Sequence, residues 1–159
     1  MRRFFVLVAA LAASASVLSA AHAQQNRAAS RSRRDARVVR EVRAVLDAQV
    51  AAWNRGDIDG FMDGYWRSPE TVFVSGDSLT RGWQTVLDRY KKSYDTREKM
   101  GTLSFLEIDI KALGPQRAIA VGRWQLAGVA DTPHGRFTLI FRRTPEGWRI
   151  MHDHTSSAT

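Results

Sequence analysis

The chain has 159 residues, and its 24 Lys and Arg residues against 16 Asp and Glu residues give it a formal charge of +8. An apolar fraction of 44% is ordinary for a globular protein, and at this length it indicates one compact domain. This composition excludes a collagen-like or low-complexity chain. The absence of cysteine from the sequence excludes a disulfide scaffold, a thiol nucleophile and a thiolate metal site.

Residues 1–23 have the three parts of a secretory signal peptide. Arg2 and Arg3 form a positive n-region, residues 4–18 form an apolar stretch, and the segment ending at Ala23 is a small-x-small cleavage site. The apolar stretch is shorter than the roughly 20 residues that a membrane helix needs, and it contains serines. The sequence therefore predicts export to the periplasm or the medium after cleavage near Ala23, with no membrane span.

The positive charge is concentrated in one short segment that follows the signal. Residues 27–43 hold seven Arg against Asp35 and Glu41, whereas residues 44–159 are nearly neutral. No aromatic residues that could stack on bases are interleaved with these arginines, so no nucleic-acid partner is expected. Residues 24–36 are predicted to be a basic, flexible and solvated tail, with an anionic surface as the alternative partner.

Beyond this tail, apolar spacing predicts three helices. Residues 38–53 repeat apolar side chains every three or four positions, which is typical of an amphipathic helix. Gly56 is expected to end this helix, and Asp57 to cap a short second one. In the third helix, residues 83–94 carry aromatic and aliphatic side chains on one face and charges elsewhere.

The remaining patterns predict strands. Residues 71–80 read as a hairpin with a turn at Gly76, and four further strands separated by turns follow Gly101. Apolar residues occupy odd positions at 103 and 105 but even positions at 106, 108 and 110. This change of face within one strand predicts a β-bulge near Phe105. Four consecutive antiparallel strands after three helices indicate an α+β domain with helices packed on one face of a curved sheet.

Four segments resemble one known family. They are the helix end Ala51–Asp57, the helix entry Arg81–Trp83, the strand Gly135–Arg143 and the last strand Gly147–Ser156. With the order of elements, they resemble a SnoaL-like domain of the nuclear transport factor 2-like superfamily, assigned to residues 37–159. The resemblance implies a cone in which a curved antiparallel sheet packs on three N-terminal helices, with a pocket at the wide end and frequent dimers.

Large amphipathic side chains are the candidates for lining that pocket. Trp53 and Tyr65 are the best placed, since they lie at helix ends where the cone is expected to open, although core packing is the ordinary role of such residues. An Arg aimed into the cone would bind a carboxylate bidentately. The ligand-binding candidates are Trp53, Tyr65, Trp66, Phe73, Trp83, Tyr90, Arg123, Trp124, Arg136, Thr138 and Thr155. Solvent exposure is expected for Arg142, Arg143 and Arg149.

The last strand carries the sharpest chemical feature, which is His152, Asp153 and His154. Strand alternation places the two histidines on one face and Asp153 on the other. The histidines could bind a metal, but the only other histidine beyond the signal, His134, lies in a loop, so no metal or cofactor is expected. One of the three could instead be a catalytic acid or base, or all three could anchor the sheet or a dimer interface.

We expect Asp153 to be the member that faces inward. The same parity carries Met151 and Thr155, which suit the lining of a cavity, and it leaves Ile150 and the two histidines for the opposite face.

The resemblance leaves two functions open. Ketosteroid isomerase shares the superfamily fold and uses a carboxylate base with a Tyr and a protonated Asp. That arrangement does not transfer, because the first helix offers Trp53 and no inward Tyr. SnoaL-type polyketide cyclases use a His and Asp pair, whose only local counterpart is His152 or His154 with Asp153.

The favoured function is binding of a small, partly apolar molecule by an exported homodimer. The alternative is a cofactor-independent acid–base enzyme of the isomerase, cyclase or hydrolyase type. An Asp or His inside the pocket, with a shifted pKa and an orienting partner, would favour the enzyme.

Overall fold

A computed structural model describes the backbone of residues 2–158 and the side chains of residues 22–158. The chain divides into two compact units, Met1–Ala36 and Arg37–Thr159. The elements, in chain order, are α1 (Arg2–Asn54), α2 (Ile58–Met62), β1 (Val72–Ser75), β2 (Ser78–Arg81), α3 (Trp83–Ser93), α4 (Arg97–Met100), β3 (Thr102–Ala112), β4 (Arg117–Ala127), β5 (His134–Thr144) and β6 (Gly147–Thr155).

In the first unit, residues 24–36 are helical and most of their side chains are exposed. Arg31 Nε lies 3.6 Å from Asp35, four residues along, a spacing that modestly favours a helix, and Arg34 donates to the same carboxylate at 3.0 Å. No helix in the described part of the chain is long and apolar enough to cross a membrane. The side chains of residues 1–21 lie outside the described residues, so the signal peptide stays a prediction. The flexibility of the tail, residues 24–36, also stays a prediction.

All six strands form one sheet in the order β2-β1-β6-β5-β4-β3. The predicted hairpin is confirmed, because β1 pairs antiparallel with β2 from Val72 to Arg81. β1 also runs parallel to the last strand, where Phe73 lies opposite Asp153. The hairpin therefore extends the four-stranded antiparallel part of the sheet, a pairing between distant segments that local periodicity does not indicate.

The predicted helices cover one face of this sheet. Val42, Leu46 and Trp53 of α1 are buried, as the apolar stripe predicts. The sequence did not predict α4, because four residues are too few to show a helical period. Thr96 caps α4 by accepting a hydrogen bond from the backbone N–H of Lys99.

The predicted bulge is present in β3, slightly further along than expected. The register with β4 shifts between Leu106 and Asp109, and Glu107 in between has a φ of 51°. Phe105 therefore faces the helices, whereas Leu106 faces the other side of the sheet with 43% of its surface exposed.

A second bulge, in β6, was not predicted. Ile140 pairs with His152 but Phe141 pairs with Ile150, so Met151 is the extra residue. The prediction that Ile150 shares a face with the histidines is wrong, because the extra residue resets the alternation. Ile150 is 1% exposed and lies on the same inner face as Asp153.

Candidate functional site

A cavity of about 180 Å³ lies between the helices and the inner face of the sheet. For scale, an engineered cavity of about 150 Å³ holds a benzene molecule. The space therefore suits a molecule of one or two rings. Its lining residues are Gln49, Trp53, Phe61, Tyr65, Phe73, Ser75, Arg89, Tyr90, Ser93, Tyr94, Leu103, Phe105, Trp124, Leu126, Phe137, Leu139, Ile150, Asp153, Thr155 and Ser157.

Most of the helical wall is aromatic. Trp53 contacts Phe61 with ring centroids 5.1 Å apart and Tyr94 with centroids 4.7 Å apart, both edge to face. Tyr90 lies 5.2 Å from Phe61 and 5.8 Å from Phe73. Edge-to-face contacts of this kind hold rings in fixed orientations, so the wall is a preformed apolar surface.

Phe137 forms part of the opposite wall, and Gly122 lies against its ring. A Cβ atom at Gly122 would lie 2.4 Å from Phe137 Cζ, so only glycine leaves room for this ring. Phe105 contacts Phe137 at 5.1 Å and extends the apolar surface along the sheet.

Asp153 forms the buried polar end of the cavity and is 3% exposed. Tyr65 Oη donates a 2.6 Å hydrogen bond to Asp153 Oδ2, and Thr155 Oγ1 donates a 2.7 Å hydrogen bond to Oδ1. An isolated β-bridge joins the backbone of Tyr65 to that of Ile150 and holds Tyr65 in place. Both carboxylate oxygens therefore have a fixed donor, and the side chain has a defined orientation.

Burial raises the pKa of Asp153 to about 6, even though the hydrogen bonds from Tyr65 and Thr155 and the nearby His154 favour the ionised form. Burial also raises the pKa of Tyr65 and of Tyr90, and the Asp153 charge adds to both effects. The two phenols are therefore neutral at physiological pH, and Asp153 is the group in this cluster that changes charge near neutrality.

Arg89 lies at a less buried part of the lining. Its guanidinium stacks over Phe73 at 5.0 Å, and Nη1 donates to Thr80 Oγ1 at 3.2 Å. Arg89 is half-buried, whereas Asp153 is fully enclosed, so the cation is nearer to solvent than the carboxylate. The lining of the cavity thus contains a half-buried cation, Arg89, and a buried carboxyl group, Asp153, that ionises near neutral pH.

Several predicted site residues are brought together in this lining. They are Trp53, Tyr65, Phe73, Tyr90, Trp124, Asp153 and Thr155. Trp53 Nε1 donates to the Met100 carbonyl at 2.9 Å, and Trp124 Nε1 donates to the Ser156 carbonyl at 3.0 Å. These indole N–H groups are used within the fold, so the two tryptophans offer ring surface to the cavity.

Other candidates lie away from the cavity. The guanidinium of Arg142 stacks on Trp66, 3.8 Å from the centroid of the ring. The prediction that Arg142 extends into solvent is therefore wrong. Its Nε is buried without a hydrogen-bond acceptor among the described residues. Trp83 donates to the Met62 carbonyl at 3.0 Å and carries Arg67 over its ring. These tryptophans have structural partners outside the cavity.

Arg123, Arg136 and Thr138 also lie outside the lining. Strand alternation turns them outward, because their neighbours Trp124 and Phe137 face the cavity. Arg136 pairs with Glu107 at 2.6 Å on this outer face. The arginine that reaches the cavity comes from α3 and not from these strands.

His152 and His154 occupy the outer face, opposite Asp153. Burial and the neighbouring His154 lower the pKa of His152. The His and Asp pair expected for a cyclase is therefore not assembled inside the cavity, because adjacent strand residues point to opposite sides. Among residues 22–158, no three His, Cys, Asp or Glu side chains are grouped so that they could hold a metal ion.

Sequence reasoning missed Arg89 and the polar residues around it. Arg89 directly precedes the predicted lining residue Tyr90, but charged residues of an amphipathic helix were assigned to the solvent face. Its stacking on Phe73 depends on the position of β1, which the helix sequence does not contain. The sequence placed Gln49 in the buried stripe of α1 but did not predict that it lines the cavity. Its Nε2 donates to the Phe61 carbonyl at 3.1 Å.

Comparison with known proteins identifies the fold. The chain is similar to an NTF-2 like protein of unknown function from Shewanella oneidensis, with 39% identity, a TM-score of 0.71, and coverage of 74% of this chain and 98% of that one. It also resembles a DUF3225 family protein of unknown function from Pectobacterium atrosepticum, with 20% identity, a TM-score of 0.64, and coverage of 78% and 93%. No curated protein matches the sequence.

A protein-family comparison gives the same answer over most of the chain. The SnoaL-like domain matches residues 42–159, which contain α2 to α4, the whole sheet and most of the part of α1 that packs on it. The α+β architecture also agrees with the NTF-2 like structure from Shewanella oneidensis. The chain therefore belongs to the SnoaL-like domain family of the nuclear transport factor 2-like superfamily.

Proposed function

We propose that this domain binds a small, largely apolar molecule of one or two rings in the cavity that ends at Asp153. The observation that carries the proposal is the aromatic wall around the oriented carboxylate of Asp153. Small-molecule sites generally combine a concave apolar lining with a few convergent polar groups. The rings of Trp53, Phe61 and Tyr90 supply the first feature, and Asp153 supplies the second.

The chemistry of Asp153 specifies the polar group of the ligand. Above pH 6 the carboxylate is mostly ionised, and an ionised carboxylate only accepts hydrogen bonds. Tyr65 and Thr155 each use one acceptor position, which leaves lone pairs for another donor. A hydroxyl group at the inner end of the ligand would satisfy them.

Thermal shift with a panel of one- and two-ring phenols and alcohols tests this proposal. A ligand present at 100 times its Kd stabilises the folded protein by about 2.7 kcal/mol, which raises Tm measurably. Phe105→Trp enlarges a side chain in the lining and should reduce the shift. Leu106→Trp adds the same group on the outer face of the same strand and should leave the shift intact. A panel without any shift, or equal shifts in both variants, would contradict the proposal.

Acid–base catalysis is a second candidate function. The observation that favours it is the placement of Asp153 inside the cavity with its pKa raised to about 6 and with two orienting donors. A carboxylate with such a pKa can remove a proton from carbon at neutral pH more readily than an ordinary one. The base in this proposal is Asp153 alone, oriented by Tyr65 and Thr155, without a histidine.

The compound 5-nitrobenzisoxazole tests Asp153 as a base. A carboxylate takes the proton from its ring carbon while the nitrogen–oxygen bond breaks, and the coloured nitrile-bearing phenolate forms. The rate should rise as the pH increases through about 6 and should fall to the background in Asp153→Asn. Equal rates in wild type and Asp153→Asn would exclude this role.

We further propose that the domain is a homodimer joined through the outer face of the sheet. Val121 is 40% exposed and Leu106 is 43% exposed on this face, and Ile119 and Ile140 lie half-buried beside them. A second copy would cover these apolar groups. Sedimentation at micromolar concentration is the measurement, and a strictly monomeric protein would refute the proposal.

Export after cleavage near Ala23 is also proposed, on the basis of the signal-peptide features of residues 1–23. N-terminal sequencing of the protein recovered from the periplasm or the medium tests it. An intact Met1 on that protein would contradict it.

A further inference from the structure

We propose that the natural ligand is a small ring-containing carboxylic acid, with its carboxylate bound by Arg89 and its ring in the aromatic part of the cavity. This inference rests on the proposed binding function and specifies the charge of the ligand. It depends on the position, surroundings and pairing of Arg89.

Arg89 is a cation without an acidic partner in the described structure. Within residues 22–158, no carboxylate lies within 4.0 Å of its guanidinium, whereas eleven ion pairs join other charged side chains. Among the described residues, Arg89 makes one hydrogen bond, from Nη1 to Thr80 Oγ1. A guanidinium has five N–H donors, so Arg89 keeps the capacity for a bidentate contact with an anion.

The stack on Phe73 fixes the guanidinium against the cavity wall. Phe73 lies opposite Asp153 in the pairing of β1 with β6, so the ring beneath the cation belongs to the same wall as the buried carboxylate. Arginine that is stacked and partly desolvated binds planar anions better than a fully hydrated ammonium group does. Ser75, Ser93 and Ser157 are also lining residues, and a serine hydroxyl can donate a hydrogen bond to an anion.

The two charged groups of the cavity specify the orientation of the ligand. A ligand carboxylate beside Asp153 would meet a second negative charge in a buried environment, which is unfavourable above pH 6. The same carboxylate beside Arg89 gains an attraction that burial strengthens. The acid group of the ligand therefore lies beside Arg89, and a hydroxyl group of the ligand faces Asp153.

The test uses two probes of nearly the same shape, 4-hydroxycinnamate and its neutral amide 4-hydroxycinnamamide, with affinities measured by calorimetry at pH 7.5. We expect wild type to bind the acid at least tenfold more tightly, since charged hydrogen bonds contribute more than neutral ones. Arg89→Gln should remove this preference and leave the affinity for the amide nearly unchanged. Arg89→Lys should retain part of the preference, because it keeps the charge and loses the bidentate geometry.

Arg67→Gln is the matched control. Arg67 also stacks on an aromatic ring, that of Trp83, but it pairs with Asp63 and lies outside the cavity. This variant has the same change in net charge and should keep the full preference for the acid. Equal loss in the Arg67 and Arg89 variants would show that net charge alone attracts the acid and would overturn the inference.

The remaining outcomes separate this inference from the proposed function. If wild type binds the amide as tightly as the acid, the cavity binds small molecules but Arg89 does not select a carboxylate, and the inference is wrong. If neither probe binds while the neutral phenols also fail to raise Tm, the proposed binding function is wrong as well. If Arg89→Gln retains the tenfold preference, another group binds the carboxylate and the inference is overturned.

Discussion

Substitution of Asp153 by Asn tests the electrostatics of the cavity through protein stability, with no ligand needed. The folded protein raises the pKa of Asp153 from 3.8 to about 6 because the group is buried. A pKa difference of one between the folded and unfolded states corresponds to about 1.36 kcal/mol, so the change at Asp153 amounts to about 3 kcal/mol. The structure therefore predicts that wild-type stability contains a pH-dependent contribution of about this size.

The sign of the effect follows from which state holds the proton. Between pH 4 and pH 6 the unfolded chain has lost the Asp153 proton while the folded protein keeps it. Folded protein thus binds more protons, and the free energy of unfolding falls as the pH rises through this window. The contribution is fully present below the unfolded pKa near 3.8, and it is lost above about pH 6.

Chemical denaturation of wild type and Asp153→Asn at several pH values between 3.5 and 8 measures this contribution. Carboxylates outside the cavity with lowered pKa values, such as Asp57 and Glu41, change stability in the opposite direction in both proteins. Subtracting the variant from wild type cancels them. The difference should decline by about 2.4 kcal/mol from pH 4 to pH 7, which is most of the total.

Tyr65→Phe provides a second check of the same argument. The Tyr65 hydroxyl lowers the pKa of Asp153 through its 2.6 Å hydrogen bond, so its removal should raise that pKa further. The decline in stability should then extend to higher pH, and a buried acceptor that has lost its donor should cost about 1 to 3 kcal/mol. A difference between wild type and Asp153→Asn that does not change with pH would refute the reasoning.

Three further predictions concern other parts of the chain. Deletion of residues 24–36 should change Tm by less than about 2 °C, because their side chains are mostly exposed, and a large fall measured by calorimetry would show that the tail docks. Gly122→Ala should lower the free energy of unfolding by about 1 to 3 kcal/mol in a urea titration, because its Cβ would overlap the Phe137 ring, and an unchanged midpoint would contradict this packing. Val121→Lys should shift sedimentation toward the monomer with little change in Tm, and a persistent dimer would place the subunit contact elsewhere.

Apart from the four-residue helix α4, the elements of residues 37–159 and their order were predictable from local patterns. The stripe in residues 38–53 predicted the buried side chains of α1, and the hairpin at Gly76 formed with the expected partners. The parity change near Phe105 predicted a bulge, which lies between Leu106 and Asp109. These features depend on residues close in sequence, where periodicity and turn chemistry act directly.

Part of the candidate site was also predictable. Asp153 faces inward with Thr155, as strand parity and the choice of lining residue types suggested. The same parity argument was wrong for Ile150, because the bulge at Met151 leaves no clear signal in the sequence. A single extra residue exchanges the two faces of a strand, so one unrecognised bulge reverses every assignment beyond it.

By itself, the sequence determined the family, the order of helices and strands, and the presence of an aromatic-rich domain. Only the tertiary structure decided which polar groups meet. Tyr65 and Asp153 are 88 residues apart in the chain, yet they share a 2.6 Å hydrogen bond. Arg89 reaches the cavity because β1 places Phe73 beneath it. Such meetings depend on the pairing of β1 with β6 and on the packing of helices against the sheet, which are contacts between distant segments that no local pattern encodes.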